Sequence, residues 1–375
     1  MSPIIHQHTL PFGGDAFKIF CIFKDQPHAF FLDSSLRQSK GLFSYIGFDP
    51  FTTVSGRDLS AFKRVFDKYR LGTSQRLSFP AGAVGYLGYD GSLFFGFYDT
   101  IVSVDHQKHR LIISSFSKGR IKDVLKKLKS SGPDLGFPQR ARSSCRTLAG
   151  ARKSLRSLGM PLPRPPDDTH FKSNFSKADY MKAVRQALEH IRRGDIYQIN
   201  LSHQIKMQVP LRPDNPEPAA IYENLRRFFP SEFGAYFDDG RQVILSASPE
   251  RFLKLQNGIA LLKPMKGTRP RGETRGQDRR LKEQLQKSPK EIAELLMVTD
   301  LERNDLGRVC DYSSVKVKVM RTIETYASVF QATSTVEGRL RRGCDPFDLL
   351  QALSKGGLCE VPTTDRQRIT LEVIR

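Results

Sequence analysis

One lysine in the sequence stands where its side chain would be able to act as a nucleophile. Lys266 lies in the segment 264–272, Pro-Met-Lys-Gly-Thr-Arg-Pro-Arg-Gly, directly after a run of strand-forming residues. The prolines and glycines of the segment fix the backbone on both sides and limit the direction of the amine. Burial or neighbouring cations lower the pKa of a lysine and make it reactive. Lys263, Arg269 and Arg271 would supply such cations, or would hold a dianionic substrate. The alternative is a solvated charge at the end of a strand.

Two carboxylates have positions that would suit either a role in binding a ligand or a purely structural role. Glu250 follows an apolar strand in the run Ser-Pro-Glu-Arg-Phe, where it would either pair with Arg251 or face a ligand. Glu294 lies on the flank of the apolar face of a predicted helix, where its oxygens would either meet solvent or bind a hard cation. That helix is predicted to begin after Ser288, which is followed by a proline and a capping-box glutamate.

The elements around these residues predict an α+β protein. The first 115 residues are mostly β: two buried strands are predicted within 17–32 and a hairpin within 97–115. Ser176 is predicted to cap a helix that ends at Gly194, and the next segment, 195–202, alternates as a strand with three uncharged polar side chains on one face.

The charge of the chain is strongly basic and unevenly placed. The formal net charge is +21, and between Lys118 and Arg164 thirteen Lys/Arg face two acids, a net of +11. This stretch is rich in proline and has no interleaved aromatic residues or RNA-binding motif. It predicts a solvated basic linker or insertion, and makes a nucleic-acid partner unlikely.

Length and composition limit the class of protein. A chain of 375 residues with 39% hydrophobic residues can bury a large core. No apolar run reaches 18 residues and the N-terminus lacks a secretory pattern, so the sequence predicts neither a membrane span nor export. The five scattered cysteines fit a reducing cytoplasm better than a disulfide framework or a zinc site.

Four segments together resemble signatures of the chorismate-utilising enzymes, in the form carried by the aminodeoxychorismate synthase branch. The resemblance covers about residues 1–357 apart from the basic stretch. It is carried by Gly-Asp-Ile-Tyr-Gln-x-Asn-Leu-Ser at 194–202, Ser-Pro-Glu-Arg-Phe at 248–252, Pro-Met-Lys-Gly-Thr at 264–268 and the helical block Ala-Glu-Leu-Leu-Met…Asp-Leu-Glu-Arg-Asn-Asp-Leu-Gly-Arg-Val at 293–309.

The resemblance implies an architecture and a domain organisation. The expected fold is α+β, with large β-sheets and flanking helices around a deep cleft. An N-terminal region is expected at 1–117, the basic linker at 118–168 and the chorismate-binding catalytic domain at 169–375. A Leu-Asp-Ser element ending at Ser34 aligns with a segment that lines a regulatory amino-acid pocket in the family. Members of the family often have Glu at the position of Asp33. After Gly357 the family pattern is lost, so the C-terminal portion is expected to be missing.

The resemblance also implies roles for particular residues. Lys266 would be the nucleophile that adds to chorismate as the 4-hydroxyl leaves, with ammonia then displacing the lysine, and Glu250 would transfer protons. The family pattern makes Glu294 a ligand of Mg²⁺. The implied substrate-binding residues are Gly267, Thr268, Gln331 and Ser334. Many relatives have histidine at position 331, so this chain lacks a possible general acid there.

The implied activity is amination of chorismate to 4-amino-4-deoxychorismate, with ammonia supplied by a glutamine amidotransferase partner in the cytoplasm. No cysteine of this chain stands in a glutaminase-like setting. Three alternatives stay open: an anthranilate synthase component I, disfavoured by Lys266; an inactive, truncated remnant of low solubility; and a basic nucleic-acid-binding module.

Overall fold

The computed structural model describes residues 4–36, 43–70, 79–88, 91–131, 170–196, 199, 201, 203–208, 217–326 and 329–356. The strands are β1 His6–Pro11, β2 Phe30–Asp33, β3 Phe43–Gly47, β4 Thr52–Gly56, β5 Gly82–Leu87, β6 Leu93–Tyr98, β7 Thr100–Asp105, β8 Arg110–Ser115, β9 His170–Ser173, β10 Ile205–Gln208, β11 Phe233–Asp238, β12 Val243–Ser248, β13 Lys254–Gln256, β14 Ile259–Leu262, β15 Met265–Pro270, β16 Lys316–Thr325 and β17 Val329–Arg339. The helices are α1 Ala16–Cys21, α2 Leu59–Lys68, α3 Lys118–Ser130, α4 Lys177–Arg192, α5 Pro218–Phe228, α6 Arg275–Lys287, α7 Pro289–Val309 and α8 Pro346–Gly356. The predicted α+β class is confirmed. Within the described residues, no helix is long and apolar enough to cross a membrane.

The chain divides into two compact units, and each unit combines two segments that are separate in the sequence. The first unit comprises residues 1–146 and 216–250, and the second comprises 147–215 and 251–375. The first contains a seven-stranded antiparallel sheet of order β1-β8-β7-β3-β2-β11-β12 and a three-stranded sheet of order β4-β6-β5. The predicted hairpin near residues 97–115 is therefore formed by β7 and β8.

The second unit is built on β17, the longest strand of its sheet. β14 and β15 pair with successive parts of one edge of β17, and β16 pairs with the other edge. β13 extends the sheet beyond β14, while β9 and β10 form a separate two-stranded sheet. Helices α7 and α8 pack on this unit and share with it a core cluster that contains Leu262, Leu306, Val336 and Leu349.

The first apolar run of the N-terminal half is a helix, not the predicted strand. α1 begins after Asp15, whose side chain accepts a hydrogen bond from the Phe17 backbone N–H. Ile19 and Phe20 are completely buried in the aromatic core of the first unit. An apolar run that is buried on nearly all sides has no periodicity, so its pattern does not separate helix from strand.

The start of the predicted basic linker is also helical. α3 is capped by Ser117 and buries Ile121, Val124 and Leu128 in the same core. These three apolar residues recur at helical spacing between lysines, so one face of α3 is packed while the lysines stay at the surface. The rest of the stretch, 132–169, lies outside the described residues, and so do four residues of the predicted strand at 195–202.

Asp33, at the end of β2, makes a buried ion pair. Its carboxylate is only 2% exposed and accepts a 2.6 Å hydrogen bond from Arg226 Nε. The same guanidinium donates two hydrogen bonds to Asp15, at 2.9 and 3.0 Å, and lies over the Phe17 ring. This arrangement ties the end of β2 to α1 and α5.

Candidate active site

The segment around Lys266 forms a strand with one extra residue. β15 pairs Lys266 with Ala332 and Thr268 with Gln331, so Gly267 is the additional residue of a β-bulge. Gly267 has a φ of 79°, which L side chains rarely adopt. A Cβ at this position would lie 2.9 Å from Glu291 Oε2 and 3.0 Å from Leu285 Cδ1. The position therefore requires glycine for its backbone conformation and for the close approach of α6 and α7.

Lys266 is the cation of this segment whose amine is left without a carboxylate. It is half-buried, and within the described part of the chain it makes no ion pair. Each of the three neighbouring cations has its own acid. The pairs are Lys263 Nζ–Glu324 Oε1 at 2.5 Å, Arg269 Nη1–Glu291 Oε1 at 3.1 Å and Arg271 Nη2–Asp278 Oδ2 at 2.8 Å.

These pairs correct an expectation drawn from the sequence. Lys263, Arg269 and Arg271 do not form an open cluster of positive charge beside Lys266, because a carboxylate within hydrogen-bonding distance cancels most of the field of each cation. They serve to hold the strand in place. The positive charge left to meet a small anionic substrate in this segment is the Lys266 amine itself.

Glu324 is the centre of a half-buried polar cluster on β16. It accepts hydrogen bonds from Lys263 and from the Tyr326 hydroxyl, the latter at 2.6 Å. Burial alone would raise the pKa of this carboxyl, but the hydrogen bonds from Lys263, Tyr326 and Thr333 hold its pKa below the ordinary value. Glu324 is therefore an ionised, fully engaged carboxylate beside β17.

Two further anchors fix the C-terminal end of β15, beyond the bulge. Arg269 reaches Glu291 in the first turn of α7, the helix that Ser288 caps as predicted. Arg271 donates two hydrogen bonds of 2.8 Å to Asp278 of α6 and a third to the Tyr326 carbonyl. Together with the Lys263–Glu324 pair, which lies before the bulge, these two anchors hold the backbone on both sides of Gly267.

The residues of β17 that were predicted to bind substrate lie on opposite faces of the sheet. Side chains three apart in a strand point to opposite sides. Ser334 is completely buried, and its Oγ accepts a 2.8 Å hydrogen bond from Thr299 of α7. Gln331 lies on the other face, directly across from Thr268, which is exposed. Lys266 pairs with Ala332 and therefore lies on the face of Ser334, whereas Thr268 and Gln331 share the opposite face, with Gly267 at the bulge between Lys266 and Thr268.

The two predicted carboxylates are in different parts of the molecule. Glu250 is exposed after β12, and its N–H donates to Ser248 Oγ at 3.3 Å; it belongs to the first compact unit, whereas Lys266 belongs to the second. Glu294 is 42% exposed on α7, with its Oε1 3.8 Å from Lys290 Nζ. No three His, Cys, Asp or Glu side chains gather anywhere in the described residues. Glu294 has the oxygen chemistry that Mg²⁺ prefers, but it would need water or substrate oxygens to complete the coordination.

The acids that position β15 were not recognised from the sequence as functional. In the sequence, Glu291 is marked only as a capping residue, and no motif marks Glu324 or Asp278. Glu324 is 61 positions from Lys263 in the sequence, yet the two side chains form an ion pair beside β17. The available signal was the excess of cations in 263–271, since half-buried cations require acids from elsewhere in the fold.

Comparisons with known proteins agree with this arrangement. Residues 27–358 match the family of chorismate binding enzymes. Anthranilate synthase component 1 of Thermus thermophilus is 32% identical over 347 residues, which cover 87% of this chain and 73% of the relative. Aminodeoxychorismate synthase component 1 of Bacillus subtilis is 27% identical over 387 residues, which cover 93% of this chain and 77% of the relative. The match to anthranilate synthase component 1 of Acetivibrio thermocellus, 30% identical, spans 63% of that protein.

Solved structures show the same fold. Anthranilate synthase component I from Streptococcus pneumoniae superposes with a TM-score of 0.66 over 90% of this chain and 78% of its own, at 24% identity. MenF, the menaquinone-specific isochorismate synthase from Escherichia coli, has a TM-score of 0.64 over 100% of this chain and 79% of its own, at 13% identity. The fold expected from the motifs is thereby confirmed, and the extent of the match to residues 27–358 shows that this chain belongs to the chorismate binding enzymes.

Proposed function

We propose that this chain aminates chorismate at C4, giving 4-amino-4-deoxychorismate, as component I of an aminodeoxychorismate synthase. The observation that carries the proposal is the unpaired Lys266 amine at a glycine bulge, between cations that already have acids of their own. The anthranilate synthase branch usually has alanine at this position, because ammonia there attacks the substrate directly and no covalent enzyme intermediate is needed. A lysine held in place without a structural partner is suited to nucleophilic attack.

In the proposed reaction, the deprotonated Lys266 amine forms a C–N bond to the chorismate ring as the C4–O bond breaks. The hydroxyl group leaves as water after it takes up a proton, and Glu250 is proposed to take part in this proton transfer. Ammonia then forms the C4–N bond, and the bond to Lys266 breaks, which returns the free amine. The sum is chorismate and ammonia giving 4-amino-4-deoxychorismate and water.

The surrounding residues are assigned supporting roles. Gly267 and the exposed Thr268 are proposed to shape the substrate pocket, and Arg269 and Arg271 hold the strand that carries the Lys266 amine. Glu294 would hold Mg²⁺, whose charge would offset that of a substrate carboxylate. A glutamine amidotransferase subunit is the proposed source of ammonia, in keeping with the names of the component 1 relatives.

Anthranilate synthesis is the second candidate, because several relatives at 30–33% identity are named anthranilate synthase component 1. The two activities differ in their products. Purified protein is incubated with chorismate, Mg²⁺ and ammonium, and the product is identified by mass spectrometry and fluorescence. The proposal expects the non-aromatic 4-amino product; fluorescent anthranilate as the sole product would overturn it.

A further inference from the structure

Two cysteines of the second unit lie against the same core cluster. Cys310 follows α7, is only 1% exposed and belongs to the cluster that contains Leu306 and Val336. Cys344 follows β17, is partly exposed and packs against the same cluster. The two are 34 positions apart in the sequence, and both are free thiols. One part of the fold therefore holds a buried thiol and a more accessible one.

The backbone brings the two cysteines towards each other. Cys310 forms an antiparallel bridge with Leu340. A 3.0 Å hydrogen bond from the Arg341 N–H to the Val309 carbonyl continues this pairing. The chain then turns, and the Cys344 N–H donates a 3.1 Å hydrogen bond to the Arg341 carbonyl. Cys344 is thus held in a tight turn four positions from the residue that pairs with Cys310.

One guanidinium joins the thiol of Cys344 to the end of α7. Arg341 Nη2 donates a 2.7 Å hydrogen bond to the Arg308 carbonyl and lies 3.9 Å from Cys344 Sγ. The pKa of Cys310 is raised to about 11, first by burial and then by the negative charges of Asp311 and Cys344. Cys310 is therefore a protonated thiol at neutral pH, and Cys344 is the cysteine of this pair that a dissolved oxidant reaches first.

We propose that Cys310 and Cys344 are a site of reversible oxidation, at which a small disulfide such as oxidised glutathione produces an internal disulfide bond. The Cys344 thiolate attacks one sulfur of oxidised glutathione, forms a mixed disulfide and releases one glutathione. Cys310 then loses its proton and attacks the Cys344 sulfur, which releases the second glutathione. Two protein thiols are oxidised and one glutathione disulfide is reduced, and the two glutathione thiolates take up the two protons.

The disulfide would close a ring of chain that contains β16 and β17. β17 is the strand with which β14, β15 and β16 all pair. A cross-link between the ends of this ring restricts the unfolded chain and so favours the folded one. The oxidised protein should therefore melt about 3–10 °C higher than the reduced protein, whichever chorismate reaction the chain catalyses.

Peptide mapping of the full-length chain tests the site. Purified protein is incubated with oxidised glutathione, its remaining thiols are blocked, and it is digested without reductant. Mass spectrometry should find one pair of peptides joined through Cys310 and Cys344. Cys310→Val, which places an apolar side chain of similar size in the core, should stop at a glutathione adduct on Cys344. Cys21→Ser, in the first unit, is the matched control and should form the disulfide as the wild type does.

The melting temperature gives a second readout. It should rise on oxidation in the wild type and in Cys21→Ser, and should not rise in Cys344→Ser. A wild-type chain in which Cys344 carries glutathione while Cys310 stays a free thiol would overturn the proposal. A disulfide between Cys310 and any other cysteine, or no change in mass with an excess of oxidised glutathione, would overturn it as well.

Discussion

Two groups of polar side chains, one in each compact unit, differ in how far they are engaged. In the first unit, one guanidinium, that of Arg226, binds Asp15 and Asp33 together and lies over an aromatic ring, so the buried charges are all engaged with one another. In the second unit, Lys266 of β15 and Gln331 of β17, on opposite faces of one sheet, find no side-chain partner within the described residues. The first arrangement stabilises a fold. The second leaves groups available to a ligand.

The contrast teaches that engagement of a polar group is a better guide to its role than its burial or charge. Arg271 and Lys266 are both half-buried cations of the same segment, but Arg271 makes three hydrogen bonds and Lys266 makes none to the described residues. Substitutions in the two classes should separate stability from activity.

The largest effect is expected at Lys266. Lys266→Ala should lower ammonia-dependent and glutamine-dependent formation of the 4-amino product by at least about a thousandfold, because the covalent step is lost. The free energy of unfolding should change little, since the amine has no partner in the described structure. Steady-state kinetics checks the loss of activity, and denaturant unfolding of the same samples checks the unchanged stability. Wild-type turnover by this variant would refute the covalent role.

Arg226 should show the reverse behaviour. Arg226→Met leaves the 1%-exposed side chain of Asp33 without its cation, which should lower the free energy of unfolding by about 3–5 kcal/mol. Arg120→Met is the matched control, because its pair with Asp49 is largely exposed and should contribute less than about 1 kcal/mol. Urea unfolding followed by circular dichroism measures the difference. Equal losses in the two variants would remove the contrast between the units.

Gly267 should affect both stability and activity. Gly258→Ala, at a φ of 73° with open space around it, should cost about 1–2 kcal/mol for the backbone conformation alone. Gly267→Ala should cost more, because its Cβ would also displace Glu291 and disturb the bulge beside Lys266. Unfolding and turnover of the two variants are compared. A Gly267→Ala protein that matches Gly258→Ala in both would show that the close packing is unimportant.

The smallest effect concerns Mg²⁺. Glu294→Gln should raise the Mg²⁺ concentration for half-maximal activity by at least about tenfold, as the loss of even an outer-shell partner does. Lys290→Met should lower that concentration, because it removes the cation 3.8 Å from the carboxylate. Activity is titrated with Mg²⁺ after treatment with a chelator. If neither variant shifts the titration, the metal is not held by Glu294.

The sequence predicted local structure where a short-range rule decides it. The sequence identifies the caps at Ser176 and Ser288 because the capping hydroxyl and the backbone N–H that donates to it lie within three residues of each other. The glycine beside Lys266 was recognised for its restricted backbone, although the bulge itself was not. Family motifs supplied the fold.

The sequence did not predict features that depend on distant parts of the chain. In α4, Leu188 and Ile191 recur at the spacing of an apolar helix face but are 46% and 39% exposed, whereas Ala183 and Ala187 are buried. The spacing of hydrophobic residues identifies an apolar face of a helix, but it does not identify the element that packs against that face. The acids of Lys263, Arg269 and Arg271 come from other elements, so local patterns carried no information on them.

The bulge at Gly267 decides which face of the sheet the side chains of β15 beyond it occupy. In a regular strand, side chains alternate between the two faces, and a change of one residue exchanges the faces for everything beyond it. Met265 pairs with Thr333 and Thr268 pairs with Gln331. Because Gly267 is an extra residue between them, Met265 and Thr268 lie on the same face of the sheet although they are three positions apart. Removal of this one residue would leave the pairs Lys266–Ala332 and Thr268–Gln331 in place, whereas closing the bulge at unchanged length would turn every side chain beyond Gly267 to the opposite face. The bulge, and with it the glycine that permits it, therefore keeps Thr268 on the face of Met265.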